Sequence, residues 1–122
     1  MQPFSFLLRA SRYALPLMAG AILAGTALAK DIRIAHVYSK TGALEAYGKQ
    51  TQTGLMLGFD YATGGTMMVN GRKIVLIEKD DQGKPDVGKA QLQAAYGDDK
   101  VDLAIGPTSS GVALALLPVA EE

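Results

Sequence analysis

The strongest constraint on the fold is a threefold alternation of β-strand and α-helix patterns. Residues 32–38 are rich in β-branched and aromatic side chains and predict a first strand. Residues 74–77 are four consecutive apolar residues, which is typical of a strand covered on both faces in a parallel sheet. Residues 101–105 predict a third strand. A helical pattern follows each strand, so we expect a doubly wound α/β sheet with right-handed crossovers, built from three βα units.

The three helices and one turn are marked by local signals. Apolar residues recur at helical spacing through residues 43–63 and stop at a pair of glycines. A second helix is predicted from Pro85 to near Gly97, and a third over residues 112–122. An Asn-Gly pair at residues 70–71 predicts a type I′ turn in a short ribbon that leads into the second strand.

Two glycines in the first predicted helix suggest a packing contact. Gly54 and Gly58 lie four residues apart, and charged residues bracket them. This spacing predicts a close approach of the helix backbone to the sheet, in preference to a membrane dimer motif.

The first 29 residues have the features of a secretory signal. Arg9 and Arg12 precede an uncharged apolar run, residues 13–29, that ends in Ala-Leu-Ala. We predict cleavage after Ala29, export to the periplasm and a mature chain that starts at Lys30. A membrane anchor is the alternative, but a proline and two glycines interrupt the run, which is shorter than the ~20 residues that a span needs.

Charge and cysteine content exclude some partners and one source of stability. The whole chain has twelve basic and twelve acidic residues. Because two of the arginines fall in the predicted signal, residues 30–122 carry ten basic and twelve acidic residues. This balance predicts neither nucleic acid nor anionic lipid as a partner. The sequence contains no cysteine, so stability must come from a packed core and not from disulfides.

The common catalytic motifs fail at the positions where they could occur. Gly106 and Gly111 have the spacing of the glycines in a phosphate loop, but the lysine that should follow is absent. Ser109 lacks the flanking glycines of a nucleophile elbow. His36 is the only histidine, and strand alternation directs it toward a helix layer, which predicts a structural role. We therefore expect no catalytic residue, no cofactor and no enzymatic activity.

Two further loops follow predicted strands. Asp80 and Asp81 could suggest a metal site, but lysines flank them, so we predict a solvated, ion-paired loop without metal. The loop after the third strand, residues 106–111, is here called the serine loop. It starts a helix whose free N–H groups attract an anion, and its hydroxyls can add hydrogen bonds. The sequence leaves two roles open for these serines, which are binding of a carboxylate and simple capping of the helix.

The chain resembles the type I periplasmic solute-binding proteins, specifically the branched-chain amino acid receptor group of ABC importers. Residues that carry the resemblance extend through the mature length: residues 32–37, Thr41-Gly42, Ala46-Tyr47-Gly48, Gly54, Gly64-Gly65, Asp80-Asp81 with Pro85, Ile105-Gly106, Ser109-Ser110 and residues 118–121. The resemblance implies two α/β lobes that close on a solute and deliver it to a membrane permease driven by a separate ATPase. Residues 30–122 then form a partial N-terminal lobe, about the first quarter to third of such a receptor, and we expect a monomer.

The resemblance also implies site residues. Tyr47 corresponds to an aromatic residue that touches the solute side chain. Thr108, Ser109 and Ser110 correspond to the loop that holds the solute carboxylate, with Ser110 foremost. Some family members join this loop to the loop after the second strand by a disulfide. Gln82 and Ser109 occupy that region here, so the resemblance implies a serine loop held by packing.

The resemblance leaves the identity of the solute open and implies either a branched-chain or other hydrophobic amino acid, or an aromatic carboxylic acid. The alternative functions are an extracellular sensing domain of a signalling protein and a hydrolase whose catalytic residues lie beyond Glu122. The third predicted helix is uncapped at its end, which predicts that the sequence is a fragment.

Overall fold

A computed structural model describes residues 29–121, which form one open α/β sheet with three helices. Chain order gives the elements β1 (Ile32–Tyr38), α1 (Glu45–Thr63), β2 (Met68–Val69), β3 (Arg72–Asp80), α2 (Pro85–Gly97), β4 (Leu103–Ile105) and α3 (Ser110–Ala120). The three predicted βα units are confirmed, with β4 two residues shorter and α3 shifted by two residues at each end. The predicted secretory signal lies outside the described residues except for Ala29.

The sheet has the order β2-β3-β1-β4, with β1 parallel to both of its neighbours. Among the strand pairs of residues 29–121, only β2–β3 is antiparallel. Its turn places Asn70 and Gly71 at φ angles of 49° and 75°, in agreement with the predicted turn. The chain moves from β1 to β3 on one side and then returns past β1 to β4, so the predicted doubly wound arrangement is confirmed.

The main core lies between the sheet and the helices α2 and α3. Alternate residues of β1 point to opposite faces of the sheet. Val37 packs in one cluster with Leu92 of α2 and Val112 of α3, while Ala35 packs in a second cluster with Ala95. The two helices therefore cover the same face of the sheet.

The opposite face of β1 carries a polar pair beneath α1. His36 is only 3% exposed, and its Nδ1 lies 2.6 Å from Oε1 of Gln52 on α1. The imidazole also stacks on the ring of Tyr38, with 4.2 Å between ring centroids. His36 is therefore buried and hydrogen-bonded, as expected of a structural histidine.

The predicted contact of Gly54 and Gly58 with the sheet is wrong. A Cβ atom on either glycine would have no atom within 4 Å, and both residues are exposed. The close approach occurs instead at Gly48, where a Cβ would lie 2.0 Å from the carbonyl oxygen of Ser39. At about 100° per residue, Gly54 and Gly58 are turned about 120° and about 80° around the helix axis from Gly48, so they do not share its contact.

Candidate functional site

Three loops meet at one edge of the sheet, because the parallel strands β1, β3 and β4 all end there. They are the β1 loop (residues 39–44 after β1), the β3 loop (residues 81–84 after β3) and the serine loop after β4. In open α/β sheets this edge is where ligands bind.

Ser39 links the three loops. Its backbone N–H donates to Thr108 Oγ1 at 3.1 Å, which joins the β1 loop to the serine loop. Its hydroxyl donates to Asp81 Oδ1 at 2.7 Å, which joins the β1 loop to the β3 loop. The serine is completely buried. A hydrogen bond therefore helps to hold the serine loop, and the expectation that packing alone holds it is incomplete.

The prediction of a solvated, ion-paired loop is wrong for Asp81. Its side chain is fully buried, and Oδ1 accepts hydrogen bonds from Ser39 Oγ and from the N–H of Gly83 at 2.7 Å. The turn that follows has positive φ angles, 53° at Gln82 and 68° at Gly83, and it brings the Gly83 N–H to the carboxylate. Neither flanking lysine pairs with Asp81. Lys79 forms an ion pair with Asp99, and Lys84 donates to Gln82.

Asp80 anchors the β1 loop through hydrogen bonds and not through an ion pair, so the predicted ion pairing is wrong for this residue, although it remains partly exposed to solvent. Its carboxylate accepts from the hydroxyl of Thr41 at 2.6 Å, from the N–H of Thr41 at 3.2 Å and from the N–H of Gln82 at 3.0 Å. Burial by itself would raise the pKa of Asp80, but these hydrogen bonds outweigh it and lower the pKa.

A second polar group joins β1 to β3 at the same edge. Glu78 accepts hydrogen bonds from Lys40 at 2.9 Å and from the Tyr38 hydroxyl at 2.7 Å. The hydrogen bond from Lys40 has the larger effect and the one from Tyr38 the next largest, and both lower the pKa of Glu78. Burial has the largest effect and the hydrogen bond to Glu78 the next largest, and both raise the pKa of Tyr38. These contacts fix the end of β1 against the end of β3.

The serine loop exposes the N-terminus of α3. Gly106, with φ of 126°, passes so close to β1 that a Cβ would collide with the carbonyl oxygen of Val37. Ser109 is the N-cap residue, yet its hydroxyl makes no capping hydrogen bond. The carbonyl of Ser109 accepts from the N–H of Ala113 at 2.9 Å. The N–H groups of Ser110, Gly111 and Val112 therefore have no intrahelical acceptor.

The four predicted site residues lie at this edge of the sheet in different surroundings. Thr108 and Ser109 are half-buried, and Ser110 is exposed in the first turn of α3. Tyr47 lies in the first turn of α1, with 62% of its surface exposed. Within residues 29–121 no hydrogen bond joins Tyr47 to the serine loop, whereas Thr108, Ser109 and Ser110 are consecutive residues of that loop.

Ser39 is not among the predicted site residues, although one feature of the sequence points to it. A small hydroxyl residue directly follows the β1 strand, at the carboxyl end where parallel-sheet sites form. Asp81 also directly follows a strand, but the lysines at positions 79 and 84 favoured the prediction of a solvated loop.

Within the described part of the chain, no group of three or more acidic or histidine side chains is arranged to hold a metal ion. Across the same residues, no helix combines the length and apolar character needed to cross a bilayer.

Comparisons with known proteins agree with this fold. The family described as "Periplasmic binding protein" matches residues 31–122. A Leu/Ile/Val-binding protein of Rhizobium johnstonii is 34% identical over 94 residues, which cover 75% of this chain and 24% of that protein.

Two solved structures from Rhodopseudomonas palustris are also similar. An ABC-type branched-chain amino acid transporter is 65% identical with a TM-score of 0.74, covering 75% of this chain and 24% of that one. A solute-binding protein of an ABC transporter from strain BisB5, in complex with 3,4-dihydroxybenzoic acid, is 30% identical with a TM-score of 0.65 and the same coverage. The chain thus spans about a quarter of the length of the relatives it matches.

Proposed function

We propose, from the premise that this chain belongs to the periplasmic binding protein family, that it forms one side of the solute site in the extracytoplasmic binding component of an ABC importer. The observation that carries the proposal is the uncapped N-terminus of α3. Its free N–H groups and the neighbouring hydroxyls point to a small anion, such as a carboxylate.

The proposed solute is a small carboxylic acid with an apolar body. The Rhizobium relative is named for leucine, isoleucine and valine, and the strain BisB5 relative is in complex with an aromatic acid. Both kinds of solute carry a carboxylate, which the serine loop would bind through neutral donors. The exposed ring of Tyr47 would contact the apolar body. Because the two solute types share this chemistry, both belong in the binding test.

The remaining parts of the proposal concern location and partners. Residues 1–29 would direct export and be removed after Ala29, and residues 30–122 would form part of an N-terminal lobe. The receptor would be a monomer that delivers its solute to an ABC permease in the inner membrane, and it would catalyse no reaction. The relatives described above are solute-binding proteins or ABC-transporter proteins, which supports this assignment.

The test is calorimetric titration of the exported protein with L-leucine, L-isoleucine, benzoate and 3,4-dihydroxybenzoate. Ser110→Ala should weaken binding of the best of these solutes by about 1–3 kcal/mol, because it leaves a bound carboxylate one hydrogen bond short. The matched control is Thr53→Ala, which removes an exposed hydroxyl from the middle of α1. Unchanged affinity in Ser110→Ala would contradict the assigned role of Ser110, and no binding of any of the four solutes would contradict the solute class.

A further inference from the structure

We propose that Ser39 and Asp81 are positioning residues, which hold the serine loop in the geometry that binds the solute. The inference rests on the proposed function, because it assigns these two residues to the same site. Neither side chain can itself reach a solute in this conformation, since both are completely buried.

The geometry carries the inference in two steps. Asp81 Oδ1 accepts from both Ser39 Oγ and Gly83 N, each at 2.7 Å, so the Ser39 side chain is fixed from the β3 loop. The Ser39 main chain then donates to Thr108 Oγ1 at 3.1 Å and fixes the serine loop. The carbonyl oxygen of the same residue abuts Gly48 of α1, where no side chain could fit.

The direction of these hydrogen bonds matters for the site. A backbone N–H can only donate, so Thr108 Oγ1 must accept from Ser39. The proton of the Thr108 hydroxyl is then free to point away from Ser39 and to donate to another group. A hydrogen bond from this hydroxyl to an anionic solute is stronger than one to a neutral amide or ester, because the anion carries charge.

The burial of Asp81 favours a positioning role over a stabilising one. Removing a carboxylate from water is costly unless hydrogen bonds replace the lost hydration. Here Oδ1 has two donors, but Oδ2 has no hydrogen-bond partner among residues 29–121. An apolar residue at this position would avoid that cost, but it could not accept the hydrogen bond from Ser39.

The test separates loop positioning from general stability through amide hydrogen exchange in the exported protein. The reporters are the N–H of Ser39, bonded to Thr108, and the N–H of Ala113, bonded to Ser109. The reference is the N–H of Asp98, which bonds to Ala94 at the far end of α2. Asp81→Ala and Ser39→Ala should speed exchange at both reporters by about tenfold, the effect of losing about one hydrogen bond, and leave the reference within about twofold.

Affinity is the second readout, with L-leucine and 3,4-dihydroxybenzoate as probes. The two alanine variants should bind the better probe about three- to tenfold more weakly. Asp81→Asn keeps an oxygen that can accept from Ser39 and Gly83, so it should restore most of the affinity and the slow exchange.

Unchanged exchange at Ser39 and Ala113 in both alanine variants would overturn the inference. An equal rise in the exchange rate at Asp98 would also overturn it, because Ser39 and Asp81 would then only stabilise the fold as a whole. If Asp81→Ala fails to fold, Ser39→Ala and Asp81→Asn still give both readouts. If the unaltered protein binds none of the four solutes named under the proposed function, the solute class fails, while the exchange measurements still decide whether the pair positions the loop.

Discussion

Gly48 offers a direct test of how α1 meets the sheet. In the structure, a Cβ atom at this position would lie 2.0 Å from the carbonyl oxygen of Ser39 and 2.8 Å from its carbonyl carbon. A tolerable carbon–oxygen contact is about 3.3 Å, so Gly48→Ala must separate α1 from the β1 loop by more than about 1 Å. The obstructing atoms belong to the main chain, and no rotamer change can move them away.

The size of the effect follows from two opposing terms. Overpacking of a well-packed contact costs about 1–3 kcal/mol, and a main-chain collision belongs near the upper limit. Alanine in place of glycine inside a helix raises the free energy of unfolding by about 1 kcal/mol through its higher helix propensity. The net loss is therefore about 2 kcal/mol, which for a domain of this size lowers the melting temperature by about 8–16 °C.

The matched control is Gly54→Ala, six residues further along the same helix. Its Cβ would have no atom within 4 Å, so only the helix-propensity gain of about 1 kcal/mol applies. This variant should melt about 4–8 °C above the unaltered protein. Thermal unfolding followed by circular dichroism measures both changes. If Gly48→Ala proves as stable as Gly54→Ala, the close approach of α1 to Ser39 is wrong.

Three further predictions concern export, solute binding by residues 30–122 alone, and stability in acid. N-terminal sequencing of the exported protein should give Lys30 as the first residue, and a start at Met1 would contradict the predicted signal. Residues 30–122 alone should not bind L-leucine or 3,4-dihydroxybenzoate at micromolar concentrations. A single lobe provides only one side of the site, so its hydrogen bonds to the solute carboxylate compete with water. Tight saturable binding in calorimetry would disprove the two-lobe inference. Because hydrogen bonds lower the pKa of Glu78 in the folded protein, its contribution to stability should be present above about pH 4.5, the ordinary value, and be lost as the pH falls through the lowered pKa. In urea unfolding, Lys40→Met should reduce that acid-dependent loss by a small amount, since solvent screens this partly exposed pair. An identical pH dependence in the variant would exclude the Lys40–Glu78 bond as its source.

Local patterns in the sequence were enough to predict the elements of the fold. The bounds of β1 are those that its β-branched run predicts, and the Asn-Gly turn and Pro85 mark the starts of β3 and α2. These signals succeed because strand and helix periodicity, turn angles and the geometry of proline depend on residues close together in the chain. The serine loop could also be located, because parallel strands end at one edge.

The tertiary structure alone decided how the site is held together. Ser39 lies 42 residues from Asp81 and 69 from Thr108 in the chain, so no local pattern could reveal its two hydrogen bonds. The inward turn of Asp81 depends on the position of Ser39 and on the turn at Gly83. The choice of Gly48 over Gly54 as the contact depends on how α1 is rotated about its axis against the sheet. Sequence periodicity shows that a helix has faces, but only packing determines which face meets the strand.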